Sequence, residues 1–101
     1  MSGFVHMVFF WLKPEATEED KKSMYDDCMN ELAAIESVNH LWAGKPAGTP
    51  REVVDNSYDL GLIVVYDDKA GHDAYQDDPR HVAFVQKYKP LFAKLQVYDT
   101  V

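Results

Sequence analysis

Two segments of this chain are apolar on both alternating faces, and that restricts the available folds more than any other feature. Phe4 to Leu12 is rich in aromatic and β-branched residues and is closed by Pro14, which predicts a strand. Phe4, Val8, Phe10 and Leu12 fall on one side with His6, while Val5, Met7, Phe9 and Trp11 fall on the other. Tyr58 to Tyr66 repeats the pattern, with Leu60, Leu62 and Val64 opposed to Ile63 and Val65. Successive side chains of a strand point to opposite faces, so a sheet containing these strands must be covered from both directions.

The remaining segments supply cover for one face. Thr17 is a helix N-cap, with Asp20 at capping-box spacing and Glu18, Glu19 and Asp20 in the first turn, where the helix dipole favours negative charge. Met24, Cys28, Leu32 and Ile35 form the inward stripe of that helix, which is predicted to end near Ser37. Val38 to Lys45 reads as a more polar strand, and Pro46 to Asn56 as a loop. Asp67 and Asp68 stop the strand that ends at Tyr66. A short helix follows from Lys69 to Asp77. Asp78 then caps a longer one, with Pro79 at the first helical position, where no N–H is needed. Pro90 ends it, and Leu95 to Thr100 is a last strand.

The order β-α-β-β-α-β is the split βαβ, or ferredoxin-like, α+β arrangement, expected here as a single domain over residues 1–101. Its four-stranded antiparallel sheet carries helices on one face. The other face would then be an apolar patch larger than a monomer ordinarily exposes. A homodimer packed through the two sheet faces, closing a shared barrel-like core, resolves this. Burying a few hundred square ångströms of apolar surface per chain contributes on the order of 10 kcal/mol before entropic costs, at roughly 25 cal/mol per Å².

Composition excludes several roles. The formal charge of −7 argues against nucleic acid or an anionic membrane as the main partner, because both require a basic footprint. The longest apolar run, Met7 to Leu12, is too short to span a bilayer, and no basic region precedes a long apolar one as in a signal peptide. Cys28 is the single cysteine, so no internal disulfide forms; its place on the apolar stripe predicts an inert core thiol. A cytoplasmic location is the expectation. Phosphate-binding glycine loops and a Gly-x-Ser-x-Gly elbow are absent. No two histidines stand at zinc-ligand spacing on one element, so neither a resident metal nor a cofactor is predicted.

The chemical interest lies in the last third. His81 falls in the first turn of the helix opened by Asp78-Pro79, on one face with Phe84, Val85 and Tyr88. A titratable ring is thus aimed inward, with the Tyr75 phenol six residues upstream. The positive end of the helix and partial burial both disfavour a protonated imidazole, leaving a base that is neutral near pH 7. Such a base can remove a proton from a carbon between two carbonyls, and Tyr75 can hydrogen-bond the enolate oxygen. The alternative is a core histidine tied to a backbone carbonyl or to Asp78. His6, mid-strand among bulky neighbours, needs a partner: a cavity with water or ligand, or a loop to anchor. His40 reads as structural or near the dimer seam, and His72 as solvated.

The ordered set His6-Met7-Val8-Phe9-Phe10-Trp11-Leu12-Lys13, Val38-Asn39-His40-Leu41-Trp42-Ala43-Gly44, Tyr75-Gln76-Asp77-Asp78-Pro79-Arg80-His81-Val82-Ala83-Phe84 and Val97-Tyr98-Asp99 resembles the stress-responsive α/β-barrel domain family, within the dimeric α+β barrel superfamily. The resemblance implies a ferredoxin-like monomer that dimerises through its sheets. Tyr75 and His81 are similar in position to the acid–base pair of a plant branch, the cofactor-free polyketide cyclases typified by olivetolic acid cyclase. His6 matches a first-strand histidine lining the same pocket. Asp78 departs from that branch, which has histidine before the proline. The resemblance implies a pocket for a small aromatic or β-keto ligand, with His81 as base, Tyr75 as oxyanion donor and His6 positioning the substrate. The alternative is a non-catalytic stress or assembly protein acting through oligomerisation. A haem-handling protein or monooxygenase of the wider superfamily ranks third, since no haem ligand stands out.

Overall fold

The computed structural model describes residues 3–101. Strand β1 (Phe4–Leu12) is followed by helix α1 (Glu18–Asn30), strands β2 (His40–Gly44) and β3 (Leu60–Tyr66), helices α2 (Lys69–Asp77) and α3 (Pro79–Tyr88), and strand β4 (Phe92–Thr100). The four strands form one antiparallel sheet in the order β2-β3-β1-β4, the ferredoxin-like α+β arrangement.

Pairing register converts the two-faced pattern of β1 into two functional surfaces. On the inner face, Leu41, Val64, His6 and Asp99 lie in one row across all four strands. On the outer face the corresponding row is Trp42, Ile63, Met7 and Tyr98. Inner residues Phe4, Val8, Phe10, Leu60, Leu62, Val64 and Tyr66 are buried against Met24 and Cys28 of α1, Tyr75 of α2, and Phe84 and Tyr88 of α3. Outer residues Val5, Met7, Phe9, Trp11, Ile63 and Val65 are only half-buried, and Trp42 is 69% exposed. An indole so exposed beside Ile63 and Met7 marks the helix-free face as the apolar patch that the sequence pattern predicts.

Caps define where the helices begin. Thr17 Oγ1 accepts from the Asp20 amide at 3.0 Å, and Asp20 Oδ2 accepts from the Thr17 amide at 2.9 Å, a complete capping box. Helix α1 stops at Asn30, earlier than predicted. The chain continues as a 3₁₀ turn over Leu32–Ala34, whose three-residue period keeps Leu32 and Ile35 buried on one side. Pro90 ends α3 as expected, but the chain passes through a second 3₁₀ turn, Lys89–Leu91, before β4. Strand β4 begins at Phe92 rather than Leu95, because Phe92 pairs with Leu12 across a bulge at Trp11/Leu12. β2 is shorter than its predicted span.

Candidate functional site

Four elements deliver the chemistry to one place. Strand β1 contributes His6, which is 7% exposed. The β1–β4 register sets Asp99 directly opposite, and His6 Nδ1–H donates to Asp99 Oδ1 at 2.6 Å. The partner that a buried strand histidine requires is therefore a carboxylate. With Nδ1 as donor, the neutral ring keeps its lone pair on Nε2.

Helix α2 contributes His72 and Tyr75, three residues apart and hence on one face. Asp68 caps this helix by accepting from the Gly71 amide at 3.0 Å. A side chain at position 71 would place its Cβ 3.1 Å from Tyr66 Cβ, so glycine lets α2 lie close against β3. The His72 ring stacks on Phe4 at 4.4 Å between centroids, and it meets His6 edge-on at 5.3 Å. This corrects the expectation of a solvated His72: only 16% of its side chain is exposed. The inward face of α2 runs through positions 72 and 75, and burial of Tyr75 carries His72 in with it.

Helix α3 contributes His81. Asp78 caps it by accepting from the Arg80 amide at 2.8 Å, with Pro79 at the start. His81 Nδ1–H donates to the Gln76 carbonyl at 3.1 Å, and its ring centre lies 4.6 Å from that of Tyr75. A carbonyl can only accept, so the neutral tautomer is set and Nε2 is the basic atom. Burial holds the His81 pKa below the ordinary imidazole value; the Gln76 carbonyl opposes that shift, and the nearby His6 and His72 reinforce it. Tyr75 is 1% exposed, and burial drives its phenol pKa far up, which keeps it a proton donor.

These groups share a cavity of about 410 Å³, within the size range of small-molecule sites. His6, His72, Tyr75, His81 and Asp99 all line it, against an apolar wall that includes Phe84 and Val97. Leu95 and Val97 of β4 are more than two-fifths exposed, although their strand partners Phe10 and Val8 are buried. The edge strand is thus where the hollow opens. The three predicted site residues, His6, Tyr75 and His81, come together; His40 stands apart, exposed on the helix-free face. Sequence reasoning missed His72 and Asp99. The Tyr75 spacing on α2 was an available signal for the first, whereas the second depends on cross-strand register.

His6, His72 and Asp99 each present one potential ligand atom, all within 4.8 Å of one another. Ligand spacing along single elements could not show this, because the three residues come from β1, α2 and β4. Cys28 is fully buried and its thiol is pushed up to about 12, chiefly by burial and further by Asp27, as befits an inert core group. Tyr66, beside Tyr75, has a buried hydroxyl with no hydrogen-bond partner among the described residues.

A four-stranded antiparallel sheet with helices on one face and a histidine-lined hollow under β4 defines a ferredoxin-like α+β protein. The chain belongs to the Dabb, or stress responsive A/B barrel, domain family, whose pattern matches residues 4–101. It is similar in structure to a Dabb family protein with a ferredoxin-like fold from Mesorhizobium loti, with a TM-score of 0.81 and 27% identity over 100% of this chain and 97% of that one. A dimeric ferredoxin-like protein of unknown function from Thermobifida fusca superposes with a TM-score of 0.85 at 22% identity, covering 98% of this chain and 90% of the other. The hydroxynitrile lyase of Passiflora edulis shares the fold with a TM-score of 0.84 at 15% identity, covering 98% and 92%. No curated protein matches the chain by sequence. No helix among the described residues is long and apolar enough to cross a membrane.

Proposed function

We propose that this Dabb-family chain binds a small organic molecule beneath β4 and acts on it by cofactor-free proton transfer, as a cyclase- or lyase-like enzyme on a β-keto or polyketide-like substrate. The observation that carries this reading is His81: its ring is held by the Gln76 carbonyl, faces the 410 Å³ cavity and lies beside Tyr75. Nε2 of His81 removes a proton from the carbon between two carbonyls. The electron pair moves onto a carbonyl oxygen, and the Tyr75 hydroxyl donates a hydrogen bond to that enolate. The lowered His81 pKa keeps the base unprotonated near neutrality, and the raised Tyr75 pKa keeps the donor protonated. His6, oriented by Asp99, positions the substrate from the sheet side. A homodimer closed through the helix-free faces leaves this opening on the opposite side of the sheet. The same fold is used by a hydroxynitrile lyase in Passiflora, so the reading asks nothing unusual of the architecture.

The test titrates β-keto thioesters and phenolic acids against the protein in the presence of a chelator while following histidine ring signals by NMR. Binding shifts His81 and is lost in His81→Ala, with fold and dimer unchanged. A His81 signal indifferent to every compound removes the pocket reading. It would leave the alternative, a non-catalytic protein acting through oligomerisation, which His81→Ala does not impair.

A further inference from the structure

We infer that His6, His72 and Asp99 form a site for one divalent transition-metal ion of the zinc type per chain, with an open coordination position turned into the cavity. The donor set selects the ion class. Two imidazoles and one carboxylate suit zinc, cobalt or nickel, whereas calcium and magnesium prefer all-oxygen shells.

Geometry favours capture. Zinc bonds of about 2.0–2.2 Å place tetrahedral ligand atoms roughly 3.4 Å apart, so atoms within 4.8 Å of one another need only small rotations to close on an ion. Asp99 can supply most of that movement, since 39% of its side chain is exposed. The His72 ring is already fixed. His72 is stacked on Phe4, and Asp73 accepts from its Nδ1–H at 3.1 Å, the outer carboxylate that orients a metal-binding imidazole. That bond leaves His72 Nε2 for the ion, on the side of Gln76, which also lines the cavity and whose amide now reaches Nε2 at 3.4 Å. The ion displaces this long contact and takes the place of the His6 Nδ1 proton, which the ring carries on Nε2 instead, so that His6 Nδ1 and Asp99 Oδ1, now 2.6 Å apart, both turn to the ion. Three protein ligands leave a fourth tetrahedral position, the arrangement of catalytic rather than structural zinc. Tyr75 and His81 line the same hollow, so a ligand taken at that position comes within their reach. The site requires only its three side chains and stands whether or not the organic-ligand reading holds.

The test uses the full chain freed of metal by chelator and then titrated with zinc by calorimetry and with cobalt by visible spectroscopy. One equivalent per chain, with the intense visible bands of tetrahedral cobalt, is the expected result. His72→Gln and Asp99→Asn each weaken zinc by at least about 100-fold, given that outer-shell partners alone are worth 10–100-fold. His40→Ala, on the opposite face of the sheet, leaves affinity unchanged. Circular dichroism and sedimentation establish that each variant keeps its fold and assembly. Absence of stoichiometric binding, or binding that survives both His72→Gln and Asp99→Asn, overturns the site. Because metal alone is the probe and the organic compounds are assayed under chelator, failure of one reading does not pass to the other.

Discussion

Replacing Asp99 by alanine leaves the buried His6 donor without its carboxylate partner. His6 is 9% exposed at its side chain and its Nδ1 has Asp99 as partner at 2.6 Å, so the loss exceeds that of a surface contact. A hydrogen bond to a charged group is worth about 1.5–3 kcal/mol, and stranding a buried donor costs about 1–3 kcal/mol. Because Asp99 is more than one-third exposed, solvent screening brings the expectation to about 1–2 kcal/mol. With a urea m-value of about 2 kcal/mol/M, the unfolding midpoint falls by roughly 0.5–1 M. The measurement is made under chelator at one fixed protein concentration, since association stabilises by mass action. Asp26→Ala is the reference: its partner Lys22 is 75% exposed at the side chain, and the change stays within about 0.5 kcal/mol. A double-mutant cycle isolates the contact. In a His6→Phe background, where no polar group remains to strand, Asp99→Ala costs little. Equal costs of Asp99→Ala in both backgrounds, or a cost no larger than that of Asp26→Ala, would refute the claim that this pair satisfies the inner face of β1.

Three further outcomes follow from the structure. His81 titrates below the ordinary imidazole value by NMR; its neutral form supports folding above the unfolded-state pKa, and that contribution is lost as pH falls through the lower folded-state pKa. An unshifted or raised titration would contradict its burial. Association through the helix-free face predicts that the unchanged chain sediments above 11.6 kDa and that Ile63→Glu, at the centre of the outer row beside Trp42 and Met7, sediments at 11.6 kDa; an unchanged chain already at 11.6 kDa, or a variant that still associates, would remove the sheet-face interface. Cys28, buried with its thiol pushed up to about 12, reacts with a thiol reagent only as fast as the protein opens, so rapid labelling of native protein would show the core to be looser than described.

Local signals were the legible ones. Lys69–Asp77 is delimited by Asp68 and Asp78, both of which act as caps, and its predicted bounds match. Parity along β1 and β3 sorted inner from outer residues because a strand's period is two, whatever surrounds it. The stripe Met24, Cys28, Leu32 and Ile35 is buried throughout, yet the helix carrying it gives way to a 3₁₀ turn after Asn30; a three- and a four-residue spacing satisfy the same apolar pattern. His72 reads as solvated from the sequence, but its burial is decided by Tyr75 on the same helix face. Asp99 could not be placed, since its meeting with His6 spans 93 residues and depends on which strands pair and in what register. The metal-type cluster was hidden for the same reason.

One strand therefore divides its labour residue by residue. His6 and Val8 floor the hollow, while Met7 and Phe9, a single peptide step away, look toward whatever the sheet rests upon. Odd positions can be redesigned to choose a companion without repainting the chamber, provided the strand does not slip. A shift of one place would exchange the two inventories wholesale, sending the imidazole into the seam and a thioether into the chamber.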